Sequence, residues 1–316
     1  ITNLLSHLLL WTNLKDYIRF YVPKKKEIFV HLKPLLILCI PVIAIGVYKY
    51  MDKIMIEKLS STIQLGMYEA ADKVVSIPLS AITTMGLVLL PKMANLGSNG
   101  KKEESLKLIS ATFKYSMILA IGLVFGIIAV APTFVPIFFG EEFYDSIPIL
   151  YFLTFTVLFS TWANTIRSLY LIPKNKDKEF VLSILAGAGI NIILNAIFIP
   201  IYKAMGAVIG TIAAEFIVAL MHTIYSFKDL NIKSYFSSTL VFYPIGLIMF
   251  VVVRIVSIYF NMSIIALIIQ IAVGGFVYLA VSSLYLYLDK DSFLYSIVEQ
   301  IKNNFIVKKI FNHTNE

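Results

Sequence analysis

The sequence predicts an all-α integral membrane protein, and three observations carry that prediction. Hydrophobic residues make up 59% of the chain and charged residues 15%, whereas soluble domains hold about 45–50% apolar and about 25% charged residues. Too little polar surface remains to cover a water-soluble particle of this length. Several runs of about 18 residues or more carry few or no charges, long enough to cross a hydrocarbon core of about 30 Å as helices. Barrel strands would instead alternate apolar and polar residues over segments of about ten.

In chain order, Ile1 to Leu14 is apolar but too short to span, and it lacks the basic start and small-residue cleavage site of a signal peptide. It reads as the end of a helix whose beginning is missing, which would make the chain the C-terminal part of a larger protein. Lys15 to Lys33, with Arg19 and the run Lys24, Lys25, Lys26, reads as a basic linker. About eight spans come next: Pro34 to Ile56, Leu65 to Leu90, Leu108 to Ala131, Ile147 to Leu171, Phe180 to Ile199, Gly206 to Phe227, Tyr235 to Tyr259 and Ile264 to Leu288. Residues 1–33 are thus a helix end plus linker, 34–227 a six-helix lobe, 228–288 two additional helices and 289–316 a basic tail. In that tail Phe293, Ile297, Ile301 and Phe305 share one helical face, as in an amphipathic helix lying at the membrane interface.

Alternating crossings place the linker, Pro91 to Lys107, Pro173 to Glu179, Lys228 to Ser234 and the tail on one side. Most of the 27 lysines and arginines sit there, while the opposite loops carry Lys58 and Lys203. The positive-inside rule makes that side cytoplasmic and predicts a multi-pass inner-membrane protein with its C-terminus inside. The outer loop Pro132 to Ser146 carries Glu141, Glu142 and Asp145. The net charge of +8 is therefore topology, and no basic run is interleaved with aromatics as nucleic-acid binding would require. Cys39, alone in an apolar run, builds neither disulfide nor thiolate metal site and reads as a small core residue. No Walker loop, HExxH pair, nucleophile elbow or His/Cys cluster is present, so no catalytic residue, metal site or cofactor is expected beyond a coupling Na⁺ or H⁺.

Small residues mark packing seams. Gly206 and Gly210 form a small-xxx-small pair, and Gly187, Gly189, Gly274 and Gly275 add further small faces. Pro41 and Pro78 fall inside spans, where each frees a carbonyl and can bend the helix.

An ionisable residue at mid-membrane is disfavoured by about 2.5–3.5 kcal/mol on insertion scales, so one that remains faces a cavity or a partner. Lys49, Asp52 and Lys53 lie in the outer third of the first span, and Glu69, Asp72 and Lys73 lie at matching depth on the second. Two arrangements fit: an ion-pair network tying the two helices together, or a cationic wet wall that attracts an anionic headgroup. Glu215 sits about 15 Å into its span, near the bilayer midplane. It requires a cation, a proton or a partner on another helix, which makes it a candidate for ion coupling. Arg167, with Asn164 and Ser168 on the same face, lies near the cytoplasmic end of its span, where it can snorkel or meet an anionic phosphate group. Arg254 can snorkel to the outer interface. Lys114 and His222 border the inner interface. Asn191 and Asn195 bond across helices or line a polar path.

The order of several blocks is more specific. Lys49-Tyr-Met-Asp52-Lys-Ile-Met-Ile56, then Gln64-Leu-Gly66-Met-Tyr68-Glu-Ala70-Ala-Asp72-Lys73 closing at Leu90-Pro91-Lys92, resembles the seventh and eighth helices of polysaccharide flippases in the multidrug/oligosaccharidyl-lipid/polysaccharide exporter superfamily. Phe138-Phe-Gly140-Glu-Glu-Phe143-Tyr144 looks like an outer loop of the same family, and Ile199-Pro200-Ile-Tyr202-Lys-Ala-Met-Gly206-Ala-Val-Ile-Gly210-Thr211 resembles its Pro-Tyr-Gly-x-x-Gly-Ala-x-x-Gly-Thr segment. The likeness covers roughly Leu14 to Leu288. It implies the second lobe of a MATE-like two-lobe transporter plus two extra C-terminal helices, its partner lobe lying N-terminal. It further implies a Wzx-type flippase that moves undecaprenyl-pyrophosphate-linked oligosaccharide repeat units for capsule or O-antigen export by alternating access. Membrane lipids and polysaccharide polymerase machinery are then the expected partners. Lys49, Lys53, Lys73, Arg167 and Asn164 would meet the substrate, while Asp52, Glu69, Asp72 and Glu215 would serve ion coupling or structural pairs.

Three alternatives stand beside this reading. A cation-coupled drug exporter of the same superfamily would need acidic cavity residues, and the lysines of the spans favour an anionic substrate instead. A peptidoglycan-precursor flippase is a closer relative. A membrane polysaccharide polymerase would place its chemistry in a large basic outer loop, whereas the outer loops here are short and acidic.

Overall fold

The computed structural model describes residues 50–289 continuously, together with scattered positions between 21 and 46. The chain divides into two compact units, 1–43 and 44–316, and the helices numbered from α1 onward belong to the second. The N-terminal stub, most of the linker, most of the first expected span with Lys49 and Pro41, and the amphipathic tail beyond Asp289 lie outside the described residues. Cys39 is exposed rather than a core residue. Lipid accepts apolar side chains as readily as a core does, so apolarity alone does not place a residue inside.

Among the described residues, seven helices are long and apolar enough to cross a membrane. Residues 50–59 are helical and lead into α1, Thr62–Ser98. Ser61 starts α1 by accepting a hydrogen bond from the Gln64 amide at 3.3 Å, satisfying one of the donors that every helix start leaves open. The helix then runs through Pro78 and Pro91, past the expected end at Leu90. α2, Lys102–Phe139, likewise continues through Pro132 and Pro136, which the sequence assigned to an outer loop. Each proline removes one backbone bond, and near a membrane face water can satisfy the freed carbonyl, so the helix need not stop. Gly140 ends α2 at φ +94, a conformation that favours glycine. The outer loop shrinks to one 3₁₀ turn, Glu141–Phe143, and its neighbours.

The next crossing is broken. α3, Ser146–Leu153, and α4, Thr156–Ile166, meet at Thr154 and Phe155. There the Thr154 and Thr156 hydroxyls donate back to the Leu150 and Leu153 carbonyls at 2.5 and 2.6 Å, the type of contact that bends helices. α4 ends in a π turn, Arg167–Leu171.

α5, Asp177–Tyr202, and α6, Ala204–Ser226, form a tight hairpin turned at Lys203. Gly206 and Gly210 are the packing seam the spacing predicts. A methyl at Gly206 would overlap the α5 backbone at Phe198 and Ile199, and one at Gly210 would overlap the Asn195 side chain. Gly210→Ala is therefore expected to push α6 from α5 and lower stability by about 1–3 kcal/mol. A melting curve in detergent reads this directly, and an unchanged midpoint would show that Asn195 moves aside freely.

A short helix α7, Ile232–Ser237, precedes α8, Phe242–Tyr259, and α9, Ile264–Leu288. These last two crossings pack on α2, where Phe242, Ile245, Met249 and Val253 join Ile118, Ile121 and Ala129 in one apolar cluster. Tyr278 fixes α9 by donating to the Ile118 carbonyl at 2.6 Å.

Candidate functional site

α1, α4 and α6 run in the same direction, so residues that line the space between them rise together in number from one end to the other. That space is a cleft of about 310 Å³. Tyr68 and Asp72 on α1, Thr156 and Ser160 on α4, and Thr211 on α6 line its first part. Thr83, Asn164, Arg167 and His222 line its far part, with Phe180 closing it from α5.

The first end holds a closed polar cluster. Asp52 is 2% exposed. It accepts hydrogen bonds from the Asn195 amide, from the Thr211 hydroxyl at 2.9 Å and from the Tyr68 hydroxyl at 3.1 Å. Thr211 also lies 2.9 Å from the Ala207 carbonyl, and its single proton cannot serve both acceptors at once. Asn195 bonds Asn191 at 3.2 Å, yet Asn195 Oδ1 and Asn191 Nδ2 are buried without partners among the described residues. A carboxylate and several neutral oxygens thus converge out of water. All of Asp52's described partners are neutral hydrogen-bond donors.

The remaining candidates separate from Asp52. Lys53 turns to the other side of its helix and pairs with Glu69 at 3.2 Å and Asp72 at 3.5 Å. This is the ion-pair network that ties two helices, one of the two arrangements the sequence allows. Lys73 is exposed and off the cleft, and Lys49 lies outside the described residues. The lysine-lined wall is accordingly not what the described residues form: Arg167 is the Lys or Arg side chain they present to the cleft, alongside Asp52, Asp72 and Glu215. Spacing of three and four put the charges on shared helix faces, but it could not say which face looks inward.

Glu215 is bonded at 2.6 Å by the Ser160 hydroxyl of α4, an interhelical contact at mid-span. Arg167 opens the π turn that widens the end of α4. It donates to Asn164 Oδ1 at 2.7 Å and lies over the Phe180 ring at 5.6 Å. Asn164 in turn donates to the Thr83 carbonyl of α1 at 3.3 Å. This chain fixes the guanidinium plane in the far part of the cleft. Four residues that carry the site were not chosen from the sequence: Tyr68, Thr211 and Ser160, with His222 taken for an interface residue. Their signal was position, since each is a polar side chain at membrane depth facing another polar one.

Beyond Arg167 the same π turn carries Tyr170, whose hydroxyl donates to Asp229 in the α6–α7 connection, while Lys174 pairs with that carboxylate at 3.0 Å. The Tyr170 hydroxyl, with Lys174, holds the Asp229 carboxyl down at about 2. Its contribution to stability is complete above 3.8 and fades as pH falls through about 2, so this tie is constant around neutral pH.

A second cavity, about 610 Å³, lies between α2, α8 and α9 and is almost wholly apolar, with Leu123, Ile127, Met249 and Ile271 among its lining.

Residues 1–148 match the family described as polysaccharide biosynthesis protein. The lipid II flippase MurJ of Bacillus subtilis (strain 168) is 28% identical over 267 residues, covering 75% of this chain and 48% of that protein. In sequence the chain is thus similar to a polysaccharide-biosynthesis family over its first half and to a lipid II flippase over most of its length. A solved lipid II flippase MurJ in an inward closed conformation shares the fold, with a TM-score of 0.71 at 20% identity over 89% of this chain and 59% of that one. The likeness in fold thus extends beyond the quoted blocks to the order of the helices. The chain spans about half the length of the curated relative, 48%.

Proposed function

We propose that this chain forms one lobe of a flippase that carries a polyprenyl-pyrophosphate-linked glycan across the cytoplasmic membrane, the other wall of the cleft coming from an N-terminal lobe. One observation carries the reading: a polar cleft and a separate apolar groove lie in the same membrane bundle. A ligand with a large polar head and a long hydrocarbon tail needs both. Arg167 would meet the phosphates and the groove would take the polyprenyl chain. Coupling is assigned to Asp52 in place of Glu215. Asp52, Asn195, Thr211 and the Ala207 carbonyl would hold Na⁺, and the buried partnerless Oδ1 of Asn195 fits an additional occupant that accepts its lone pair. A proton on Asp52 would serve the same purpose.

Two glycans suit this chemistry. The resemblance in sequence favours an oligosaccharide repeat unit for capsule or O-antigen export, and the relatives' name favours the peptidoglycan precursor lipid II. The drug-exporter alternative gains acidic residues in the cleft but loses their availability, since Asp52 is enclosed, Asp72 is paired with Lys53 and Glu215 is bonded to Ser160. Depleting the whole protein from cells is expected to trap one lipid-linked glycan on the cytoplasmic leaflet, and leaflet-specific labelling names which. Normal translocation of both, with unpolymerised sugar outside, would replace the reading with the polymerase one.

A further inference from the structure

The far end of the cleft carries an acceptor that a phosphate does not satisfy. His222 is 1% exposed and lines the cleft beside Arg167 and Asn164. Its Nδ1 is 3.1 Å from the Ala163 carbonyl. A carbonyl accepts and never donates, so Nδ1 carries the proton, and a neutral ring then leaves a bare lone pair on Nε2. That Nε2 is buried and has no partner among the described residues, and the same is true of the Arg167 Nε–H. The two side chains are brought together by Phe180, whose ring centre lies 6.0 Å from the imidazole and 5.6 Å from the guanidinium carbon.

This pair asks for a ligand that both gives and takes a proton in hydrogen bonding. Phosphate oxygens, being acceptors when ionised, suit Arg167 and oppose the His222 lone pair. A sugar hydroxyl or an acetamido group offers a donor and an acceptor together. In a pyrophosphate-linked glycan the terminal phosphate is bonded directly to the first sugar, so an anion held at Arg167 brings that sugar next to it. We infer that Arg167 and His222 read the junction between phosphate and first sugar, with His222 Nε2 accepting a hydrogen bond from a hydroxyl or acetamido N–H of that sugar. The inference rests on the flippase reading above and makes His222 a determinant of glycan recognition.

The test compares two lipids binding to the whole protein in nanodiscs: undecaprenyl pyrophosphate, and the same lipid carrying one N-acetylglucosamine. Asparagine keeps a donor where Nδ1 sits but does not reach the Nε2 position, whereas glutamine does. His222→Asn is expected to weaken binding of the sugar-bearing lipid by about tenfold, the worth of one good hydrogen bond. It should leave the bare pyrophosphate unchanged, and His222→Gln should stay within about threefold of wild type for both. Equal losses for both lipids would overturn the inference in favour of a packing role, and unchanged binding of the sugar-bearing lipid by His222→Asn would overturn it outright. Either result leaves the flippase reading standing. A wild-type protein that binds neither lipid overturns that reading and this one with it.

Discussion

Asp52→Asn in the whole protein is expected to remove the dependence of transport on a cation or proton gradient, lowering the driven rate by about a hundredfold, equivalent to about 2.7 kcal/mol. The side chain keeps its shape, and the Asn195, Tyr68 and Thr211 groups around it can reorient to an amide, so the fold should persist. What disappears is the charge that a cation or proton must neutralise. Flux measured in proteoliposomes with Na⁺, then H⁺, gradients imposed separately identifies the ion. A melting curve in sodium against choline chloride provides an independent reading, because a ligand that binds the folded state alone raises its stability. Wild-type gradient dependence in Asp52→Asn would refute the assignment. Glu215→Gln serves as the contrast: its Ser160 partner makes it a contact between α4 and α6, and coupling should survive.

The surroundings of Asp52 and Glu215 show what the sequence could and could not convey. Depth along a span can be counted in residues, and by depth Glu215 is the more isolated carboxylate. Whether a residue meets a donor depends on neighbours distant in the chain, and Asp52 gathers Tyr68 from α1, Asn195 from α5 and Thr211 from α6. Each lay within a sequence block already singled out or at a spacing already noticed. Their convergence is a property of helix rotation, which apolar faces in lipid do not specify. The crossings were legible because length and charge in this solvent leave few alternatives. Their ends were not, because Pro91, Pro132 and Pro136 are tolerated where the sequence pattern reads a stop. The Gly206 and Gly210 seam was legible for the opposite reason, since close backbone approach permits no larger residue.

The choice between Arg167 and Lys53 as the anion contact leads to a second large expected effect. Lys53 is held between Glu69 and Asp72, a pair of carboxylates that already neutralise it, and pairs this exposed are worth at most about 1 kcal/mol. Lys53→Gln should therefore shift melting slightly and leave binding of undecaprenyl pyrophosphate intact. Arg167 faces the cleft with its plane set by Asn164 and Phe180. Arg167→Gln removes the charge and is expected to weaken that lipid by about a hundredfold. Arg167→Lys keeps the charge but loses the planar fork, the bond to Asn164 and the ring contact, so about a tenfold loss should remain. The graded order glutamine below lysine below arginine distinguishes directed recognition of phosphate from simple attraction by a positive field, for which lysine would equal arginine. If Lys53→Gln abolished binding and both Arg167 variants bound normally, the anion would lie at the α1 side of the bundle, and the ion pairs seen there would have to open to receive it.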